Sequence, residues 1–261
     1  MVYFVATPIG NLSEITFRAV ETLKNVSAIF CEDTRHSKVL LDYYGVSKPL
    51  YAYHKFNEKK SLDFVLSFCE NGEDVAVISD AGMPCINDPG NVLVNALKDK
   101  NYPYTVLSGA SAFVNAFVLS GYLPPFTYYG FLPEKKNERD KLLDGASGVS
   151  VFYVSVHDIK ENMAYLLSRF GDRECCLVKE ISKTHERARF CRLSDEIDDD
   201  KGEIVLVVNR QAEENPLCAL SVVEHLNYYV NGGMTKNDAV KAVARDRNVP
   251  KNEIYKYTIK K

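Results

Sequence analysis

A run of small, rigid and acidic residues at positions 79–90 offers the clearest site for chemistry in this sequence. It reads Ser-Asp-Ala-Gly-Met-Pro-Cys-Ile-Asn-Asp-Pro-Gly and follows the apolar segment Val75–Ile78, which predicts a buried strand. Ligands of open α/β sheets bind beyond the carboxyl ends of the strands. Glycine lets a ligand approach the backbone closely, and proline fixes the loop beforehand. The run therefore predicts a rigid backbone cradle for a ligand.

Three other predicted strands end in comparable loops, at positions 6–12, 32–36 and 108–112. The first of them holds a single glycine, so it matches neither the dinucleotide motif G-x-G-x-x-G nor the phosphate-binding motif G-x-x-x-x-G-K-[ST]. The second, Glu-Asp-Thr-Arg-His, is polar or charged throughout. Four such loops on one edge of a sheet predict a site for an elongated ligand with polar ends, bound largely through backbone groups.

The second half of the chain supplies reactive side chains. Lys-Glu-Ile-Ser-Lys-Thr-His-Glu-Arg at 179–187 ends a predicted strand, while Ser155 and His157 follow another. Carboxylates, histidine and lysine in this pattern suit phosphate binding and proton transfer. Alternative interpretations stay open, because Asp33 and Arg35 suit the start of a helix and His185 suits a solvated loop.

The elements that position these loops alternate between strand and helix from residue 2. This alternation predicts βαβ units and a mainly parallel sheet, so the fold class is α/β. Gly121-Tyr-Leu-Pro-Pro125 interrupts the pattern, and a second α/β set follows. We predict an N-terminal α/β domain over 1–121, a second α/β domain over 122–215 and a small basic helical tail over 216–261. In the tail, Thr235-x-x-Asp238 resembles a capping box, and Pro250 suits the start of a further helix.

The composition excludes several classes of protein. The 261 residues are 46% hydrophobic and 26% charged, which is ordinary for a globular chain, and no apolar stretch approaches the roughly 18–20 residues of a membrane span. Seven irregularly spaced cysteines, with no C-x-x-C, indicate neither a disulfide framework nor a metal site. We therefore expect a reduced cytoplasmic protein that does not contact membranes.

The charge is unevenly distributed. The net charge is -3, but residues 232–261 hold eight Lys/Arg against three Asp/Glu. A basic tail on an acidic body is one pattern for contacting nucleic acid phosphates, and a solvated helical tail is the other interpretation.

Four motifs together resemble one family. They are Thr7-Pro-Ile-Gly-Asn-Leu12, Glu32-Asp-Thr-Arg-His36, Ser79-Asp-Ala-Gly82 with Pro84 and Asp88-Pro-Gly90, and Gly130-Phe-Leu-Pro133. In this order and spacing they resemble the RsmI family, the bacterial ribosomal RNA small subunit methyltransferases I, of the tetrapyrrole (corrin/porphyrin) methylase superfamily. The resemblance runs from residue 5 to about residue 208, and the tail is similar to the C-terminal helix-turn-helix piece of the family.

The resemblance implies a tetrapyrrole-methylase-like fold of two αβα domains with S-adenosylmethionine in the cleft between them, and a homodimer. It also implies 2′-O-methylation of a cytidine ribose in the decoding region of small-subunit (16S) rRNA, as free RNA or in the assembled 30S subunit. On these grounds we assign cofactor binding to the loops at 6–12, 79–90 and 108–112. The assigned residues are Thr7, Pro8, Gly10, Asn11, Asp80, Ala81, Gly82, Pro84, Gly109, Ser111 and Ala112.

Catalysis requires a group that accepts the proton of the ribose hydroxyl, which is a poor nucleophile until that proton leaves. The candidates for proton removal and substrate phosphate binding are Glu180, Lys183, His185 and Glu186. We also expect Asp33 and Asp80 to lie near the sulfonium of the cofactor or the incoming ribose. The residues leave the choice among these candidates open.

The sequence departs from the family pattern at three places: Ala110 replaces proline, Met83 replaces threonine, and Val154-Ser-Val-His-Asp158 replaces Glu-Ser-Pro-His-Arg. Two other functions therefore stay in view. One is a methyltransferase acting on carbon of a precorrin or another tetrapyrrole. The other is a non-catalytic homologue that binds rRNA or the subunit.

Overall fold

The apolar segments of the first half pair into a wholly parallel sheet. The computed structural model of the chain describes residues 1–198, 201–210, 216–247 and 249–258. The strands of this sheet are β1 (Val2–Val5), β2 (Ala28–Cys31), β3 (Leu50–Ala52), β4 (Val75–Ile78) and β5 (Tyr104–Leu107). Their order is β3-β2-β4-β1-β5, and the predicted βαβ alternation is confirmed. Because all these strands run in one direction, the loops that follow β1, β2, β4 and β5 share one edge.

Helices cover both faces of this sheet, which explains why its central strands are apolar throughout. The helices are α1 (Phe17–Asn25), α2 (Thr34–Tyr43), α3 (Glu58–Glu70) and α4 (Asn91–Asp99). On one face, Phe4 and Phe30 pack with side chains of α3 and α4. On the other, Ile29 and Ile78 pack with side chains of α1 and α2. Each fully buried side chain of this size contributes about 1.5–3 kcal/mol.

The second half forms a mixed sheet. Its strands are β6 (Phe126–Phe131), β7 (Val149–Val154), β8 (Glu174–Lys179), β9 (Arg187–Arg192) and β10 (Ile204–Val208), in the order β6-β7-β10-β8-β9. β6 and β7 are parallel, whereas β10 is antiparallel to both β7 and β8. The accompanying helices are α5 (Ala112–Ser120), α6 (Lys136–Leu142) and α7 (Ile159–Phe170).

α5 follows the first sheet in sequence but packs on the second. Its Ala116 lies in a buried cluster with Val149 and Val205, while α7 covers the opposite face of the sheet. Two ring pairs, Phe113–Tyr128 and Phe117–Phe126, stack α5 on β6 with centroids 4.2 Å apart. The α/β fold class, with a helix-covered sheet from each half, is confirmed. The division of domains at residue 121 stays a prediction.

The described residues fall into two units, Met1–Arg210 and Gln211–Lys261. Among them, no helix has the length and apolar character that crossing a bilayer requires. The predicted boundary after residue 215 lies outside the described residues. The second unit contains α8 (Val222–Asn231), α9 (Lys236–Asp246) and α10 (Lys251–Tyr255). Ser221 and Glu224 form a capping box at α8, and the Thr235 hydroxyl accepts the Asp238 amide at 3.2 Å, which confirms the predicted start of α9.

A buried histidine joins α8 to the end of α9. His225 is fully buried, with Nε2 3.2 Å from an Asp246 carboxylate oxygen, and the Arg247 Nε donates to its Nδ1 at 3.2 Å. Burial lowers the pKa of His225, and the nearby Arg247 charge acts in the same direction against the Asp246 contact. The ring therefore stays neutral and links the two helices.

Candidate functional site

The loop at residues 79–90 is anchored at its start by backbone pairing. The Thr7 amide donates to the Gly82 carbonyl at 2.9 Å, and the Gly82 amide donates to the Thr7 carbonyl at 3.1 Å. The Ser79 hydroxyl adds a bond to the same Gly82 carbonyl at 3.1 Å. Gly82 has φ +80°, and a Cβ there would lie 3.2 Å from a methyl of Ile9. Glycine is required at this position because a side chain would be both strained and crowded.

The end of the loop is held by a carboxylate from α3. The Gly90 amide donates to Glu58 Oε1 at 2.7 Å, and the buried Tyr53 hydroxyl donates to the same oxygen at 3.1 Å. Further along, the Asn87 side chain lies against Gly130, where a Cβ would come within 3.1 Å of Asn87 Oδ1. The loop is therefore fixed before any ligand binds.

A cavity of about 550 Å³ opens between this loop and the edge of the second sheet. The first-half wall consists of loop residues and the start of α5, whereas the opposite wall comes from the ends of β6, β7 and β8 and the start of β10. The lining residues are Ile9, Ala81, Gly82, Met83, Ile86, Asn87, Asp88, Ser111, Ala112, Phe131, Tyr153, Val154, Ser155, Val156, His157, Ile181, Gly202, Glu203, Ile204 and Val205. Apolar side chains with a few polar groups are typical of small-molecule sites.

The electrostatics of this cavity favour a cationic ligand. Of the described residues that line it, Asp88 and Glu203 are acidic, and neither lysine nor arginine is among them. Burial raises the pKa of Asp88 to about 6, with a further contribution from the Glu32 charge, and the nearby Ser79 hydroxyl offsets part of the rise. Burial, and after it the Asp80 charge, raises the pKa of Glu32 as well. This acidic edge suits a cation with an apolar body and disfavours a polyphosphate.

Four of the residues predicted to bind the cofactor line the cavity: Ala81, Gly82, Ser111 and Ala112. Four others are packed behind or beside the cavity wall and do not line the cavity. Thr7, Pro8 and Pro84 are buried, and Gly109 packs so tightly on Ala6 that a Cβ would lie 2.6 Å from the alanine methyl.

The remaining three predicted cofactor residues make contacts that shape the neighbouring loops. Gly10 lies against the Lys183 side chain. Asn11 accepts the Ser13 amide at 3.1 Å and caps a short helical turn. The Asp80 carboxylate accepts the Asp33 amide at 3.2 Å, which ties the loop after β2 to the loop after β4.

The residues predicted to be catalytic are divided between two places. Asp33 caps α2, where its carboxylate accepts the Arg35 and His36 amides; the Arg35 bond is the main reason that the pKa of Asp33 is lowered. Glu180, His185 and Glu186 line an open depression beside the cavity, and Glu186 accepts the Ser182 amide at 2.7 Å.

An ion pair links that depression to the cavity. Glu180, held at φ +53°, accepts the Glu203 amide at 2.7 Å, and this bond lowers the pKa of Glu180. The Lys183 ammonium lies 3.3 Å from both Glu180 and Glu203. Burial alone would lower the pKa of Lys183, but the two carboxylates outweigh it and the pKa is raised. Lys183 therefore neutralises a carboxylate of the cavity wall.

Ser155 and His157, which the sequence singled out after a strand, lie on the wall formed by the second half, but sequence reasoning assigned a role to no residue of that wall. Phe131 and Tyr153 face the cavity with ring centroids 5.5 Å apart, and Glu203 with Ile204 enters from the start of β10. Phe131 carried a signal, because it lies within the Gly130–Pro133 motif. Glu203 carried none, since it precedes a strand rather than following one.

Comparison with known proteins assigns this architecture to a family. The family model "Tetrapyrrole (Corrin/Porphyrin) Methylases" matches residues 1–196. A ribosomal RNA small subunit methyltransferase I from Bacillus subtilis is 38% identical, over 98% of this chain and 92% of its own length. A protein of the same name from Mycoplasmopsis pulmonis is 47% identical, over 78% of this chain and 93% of its own.

Solved structures agree on the fold. A diphthine synthase matches with a TM-score of 0.62 at 13% identity, covering 81% of this chain and 90% of the other. A uroporphyrin-III C-methyltransferase from Thermus thermophilus, complexed with S-adenosyl homocysteine, matches with a TM-score of 0.57 at 17% identity, covering 79% and 96%. At these identities the likeness concerns the fold alone.

Proposed function

Because this chain belongs to the RsmI family of ribosomal RNA small subunit methyltransferases, within the tetrapyrrole methylases, we propose that it methylates small-subunit rRNA with S-adenosylmethionine as methyl donor. The proposed acceptor is the ribose 2′-hydroxyl of a cytidine in the decoding region, as the motifs imply. The observation that carries the proposal is the preformed, acidic and partly apolar cavity beyond the carboxyl end of β4.

The residues of the cavity fit S-adenosylmethionine. When bound, this molecule supplies a methyl group on a positively charged sulfonium. The close packing of Gly82 on Ile9 leaves backbone rather than side chain facing the ligand. Met83, Ile181 and Ile204 offer apolar surface for an adenosyl group, and the Asp88 carboxylate offers charge opposite to that of a sulfonium.

The protein's part in the reaction is mainly to position the reactants, because methyl transfer to oxygen is an in-line displacement. The loops at 7–12, 79–90 and 109–112 hold the donor. Phe131 and Tyr153 on the opposite wall offer ring faces to an unstacked base, which is how single-stranded RNA is commonly recognised. Lys183, beside the cavity, is available to an RNA phosphate if its ion pairs open.

Two further features support the choice of RNA and of a dimer. The second unit presents exposed lysines, among them Lys236, Lys251 and Lys256, suited to phosphate contacts. On α5, Val114 and Val118 are exposed apolar side chains, as is Val106 on the edge strand β5. Such apolar surface suits a homodimer interface. We place the protein in the cytoplasm, where ribosomal subunits are found.

The test offers the purified protein labelled S-adenosylmethionine with 30S subunits, with free 16S rRNA, or with precorrin. Label in a cytidine ribose of 16S rRNA supports the proposal, and mapping of ribose methylation in cells with and without the protein then identifies the nucleotide. Label on precorrin would instead support a tetrapyrrole methylase. No transfer, with no cofactor uptake in calorimetry, would identify a non-catalytic homologue.

A further inference from the structure

Two thiols lie against each other between β8 and β9. The sulfur of Cys175 is 3.4 Å from that of Cys191, and the antiparallel register places these two residues directly opposite each other. Both are free thiols, and the proposed methyl transfer uses neither. Two thiols in contact can give up two electrons to an oxidant by forming a disulfide.

The backbone already has the spacing that a disulfide requires. Directly opposed residues of an antiparallel ladder have Cα atoms about 4.5–5.5 Å apart, and disulfides join residues whose Cα atoms are about 4.4–6.8 Å apart. The two sulfurs need to approach only from 3.4 Å to about 2.05 Å. Rotation of the side chains supplies this movement while the strands stay paired.

Cys191 is the reactive member of the pair. It is half-buried on the edge strand β9, whereas Cys175 is fully buried. The hydrogen bond from the Cys175 thiol is the main reason that the pKa of Cys191 is lowered; burial opposes it, and the Arg189 charge lowers the pKa further. The same bond, together with burial, raises the pKa of Cys175. Since the thiolate is the form that attacks an oxidant, Cys191 reacts first and Cys175 keeps its proton.

The adjacent Cys176 points away from this pair. Successive side chains of a strand lie on opposite faces of the sheet. Cys175 belongs to the buried cluster beneath α7, whereas Cys176 belongs to the cluster beneath α5. Burial, and after it the Cys191 charge, raises the pKa of Cys176 to about 11, so this thiol stays protonated. Cys176 is therefore an internal control, next to Cys175 in the chain but on the other face.

Cys69 is a second internal control. It is half-buried like Cys191, but its sulfur donates to the Val65 carbonyl at 3.8 Å, whereas the partner of Cys191 is a thiol. Burial raises the pKa of Cys69. The contact with Cys175 thus distinguishes Cys191 from a half-buried thiol elsewhere in the chain.

We propose that Cys191 and Cys175 form a site of reversible oxidation, at which a hydroperoxide such as hydrogen peroxide converts the two thiols into a disulfide between β8 and β9. The Cys191 thiolate attacks one oxygen of the peroxide, and a sulfur–oxygen bond forms as the oxygen–oxygen bond breaks. The departing hydroxide takes up the proton that Cys191 released on ionising and becomes water.

The second step closes the disulfide. The Cys175 sulfur attacks the sulfur of the Cys191 sulfenic acid, and the sulfur–sulfur bond forms as the sulfur–oxygen bond breaks. The Cys175 proton leaves with the hydroxyl group as water. The two sulfurs together lose two electrons, which reduce one molecule of hydrogen peroxide to two of water.

Cys175 acts here as the resolving thiol, the one that converts the sulfenic acid before further oxidation. Without it, a sulfenic acid proceeds to the irreversible sulfinic acid. In a reducing compartment the disulfide forms only transiently, and a dithiol reductant returns the pair to thiols. The site therefore protects the half-exposed Cys191 from permanent damage, and this inference does not depend on the proposed function.

The experiment treats the folded chain, reduced and then freed of reductant, with hydrogen peroxide and stops the reaction with an alkylating reagent. Trypsin digestion without reduction releases Cys175 and Cys176 together in the peptide 174–179, and Cys191 in the peptide 190–192. We expect mass spectrometry to find these two peptides joined by a disulfide. Dithiothreitol added before alkylation should restore the thiols.

Reaction rates measure the selectivity. Cys191 should be consumed at least about tenfold faster than Cys69, because a larger fraction of it is thiolate. Unfolding in urea before treatment should abolish this preference, since the fold alone brings the sulfurs of Cys175 and Cys191 together.

Three variants identify the partner of Cys191. Cys175→Ala should abolish the disulfide and let Cys191 proceed to the sulfinic acid. Cys176→Ala should form the disulfide as wild type does, and Cys191→Ala should leave Cys175 unoxidised. Thermal melting shows whether each variant is folded, and the wild-type peptide map gives its answer without any variant.

Several outcomes would overturn the inference. They are oxidation of Cys191 no faster than that of Cys69, a disulfide from Cys191 to Cys176, and an undiminished yield of disulfide in Cys175→Ala. Sulfinic acid at Cys191 of wild type, without a disulfide, would overturn it as well, because Cys175 would then resolve nothing. A disulfide in a protein that transfers no methyl group to rRNA would support this inference while the proposed function fails.

Discussion

Replacing Glu58 by alanine should loosen the 79–90 loop and weaken cofactor binding. The carboxylate holds the loop from outside the cavity: Oε1 accepts the buried Gly90 amide at 2.7 Å and the buried Tyr53 hydroxyl at 3.1 Å. Burial raises the pKa of Tyr53, and the Glu58 charge raises it further, so this phenol remains a donor. Alanine would leave both donors buried without this acceptor.

The size of the effect follows from the two bonds. A hydrogen bond to a charged group contributes about 1.5–3 kcal/mol, so the free energy of unfolding should fall by about 3 kcal/mol or more. For a unit of this size, the melting temperature falls by roughly 2–4 °C per kcal/mol. If half of this loss of free energy is confined to the loop that binds the cofactor, the binding free energy weakens by about 1.4 kcal/mol. The Kd for S-adenosylmethionine then rises about tenfold, because 1.4 kcal/mol corresponds to a factor of ten.

Calorimetric titration with S-adenosylmethionine and thermal melting measure the two effects. Glu58→Gln should give an intermediate result, because the amide oxygen still accepts but carries no charge. Glu70→Ala, at the exposed end of the same helix, is the matched control and should behave as wild type. If Glu58→Ala melts within about 2 °C of wild type and binds the cofactor with unchanged Kd, the loop is not held as we infer.

Three other perturbations test separate parts of the molecule. Gly130→Ala should destabilise the protein by about 1–3 kcal/mol in urea unfolding and weaken cofactor binding, because its φ of +69° disfavours a side chain and the Cβ would press on Asn87. Unchanged stability and unchanged cofactor affinity would contradict the contact between Gly130 and Asn87. The double substitution Lys251→Ala and Lys256→Ala tests the basic tail. If both lysines contact phosphates, the plot of log affinity for rRNA against log salt concentration should become less steep by about 1.4–1.8. An unchanged slope would show that neither lysine contacts a phosphate. The matched control removes two exposed lysines at the end of α4, Lys98 and Lys100. The pKa of His225 is lower in the folded chain, so its contribution to stability is complete above the unfolded value of about 6.5 and is lost as the pH falls toward the folded value. The protection factors of amides in α8 and α9, corrected for intrinsic exchange at each pH, should therefore fall between about pH 7.5 and 5.5, and His225→Gln should remove that fall; pH-independent wild-type protection factors would contradict it.

The sequence by itself determined the parallel sheet, the loops on its edge and the family. Short apolar strands, helical periodicity and glycine–proline loops are local signals, and parallel strands necessarily bring their carboxyl ends together. For the same reason the run at 79–90 could be identified as a rigid loop before its anchors were known. The glycines and prolines that make it rigid are contiguous in the chain.

The identity of the groups facing the cofactor loops depended on tertiary structure. β10 runs antiparallel to β7 and β8, pairing Ile204 with Val154 and Lys179, so its beginning lies where their ends lie. Glu203 consequently reaches the cavity from a position that no rule about strand ends would select. The burial and neighbouring charges that distinguish Asp88 from Glu203 likewise come from residues far apart in sequence. Burial and charge act through space, and only the folded chain fixes those distances.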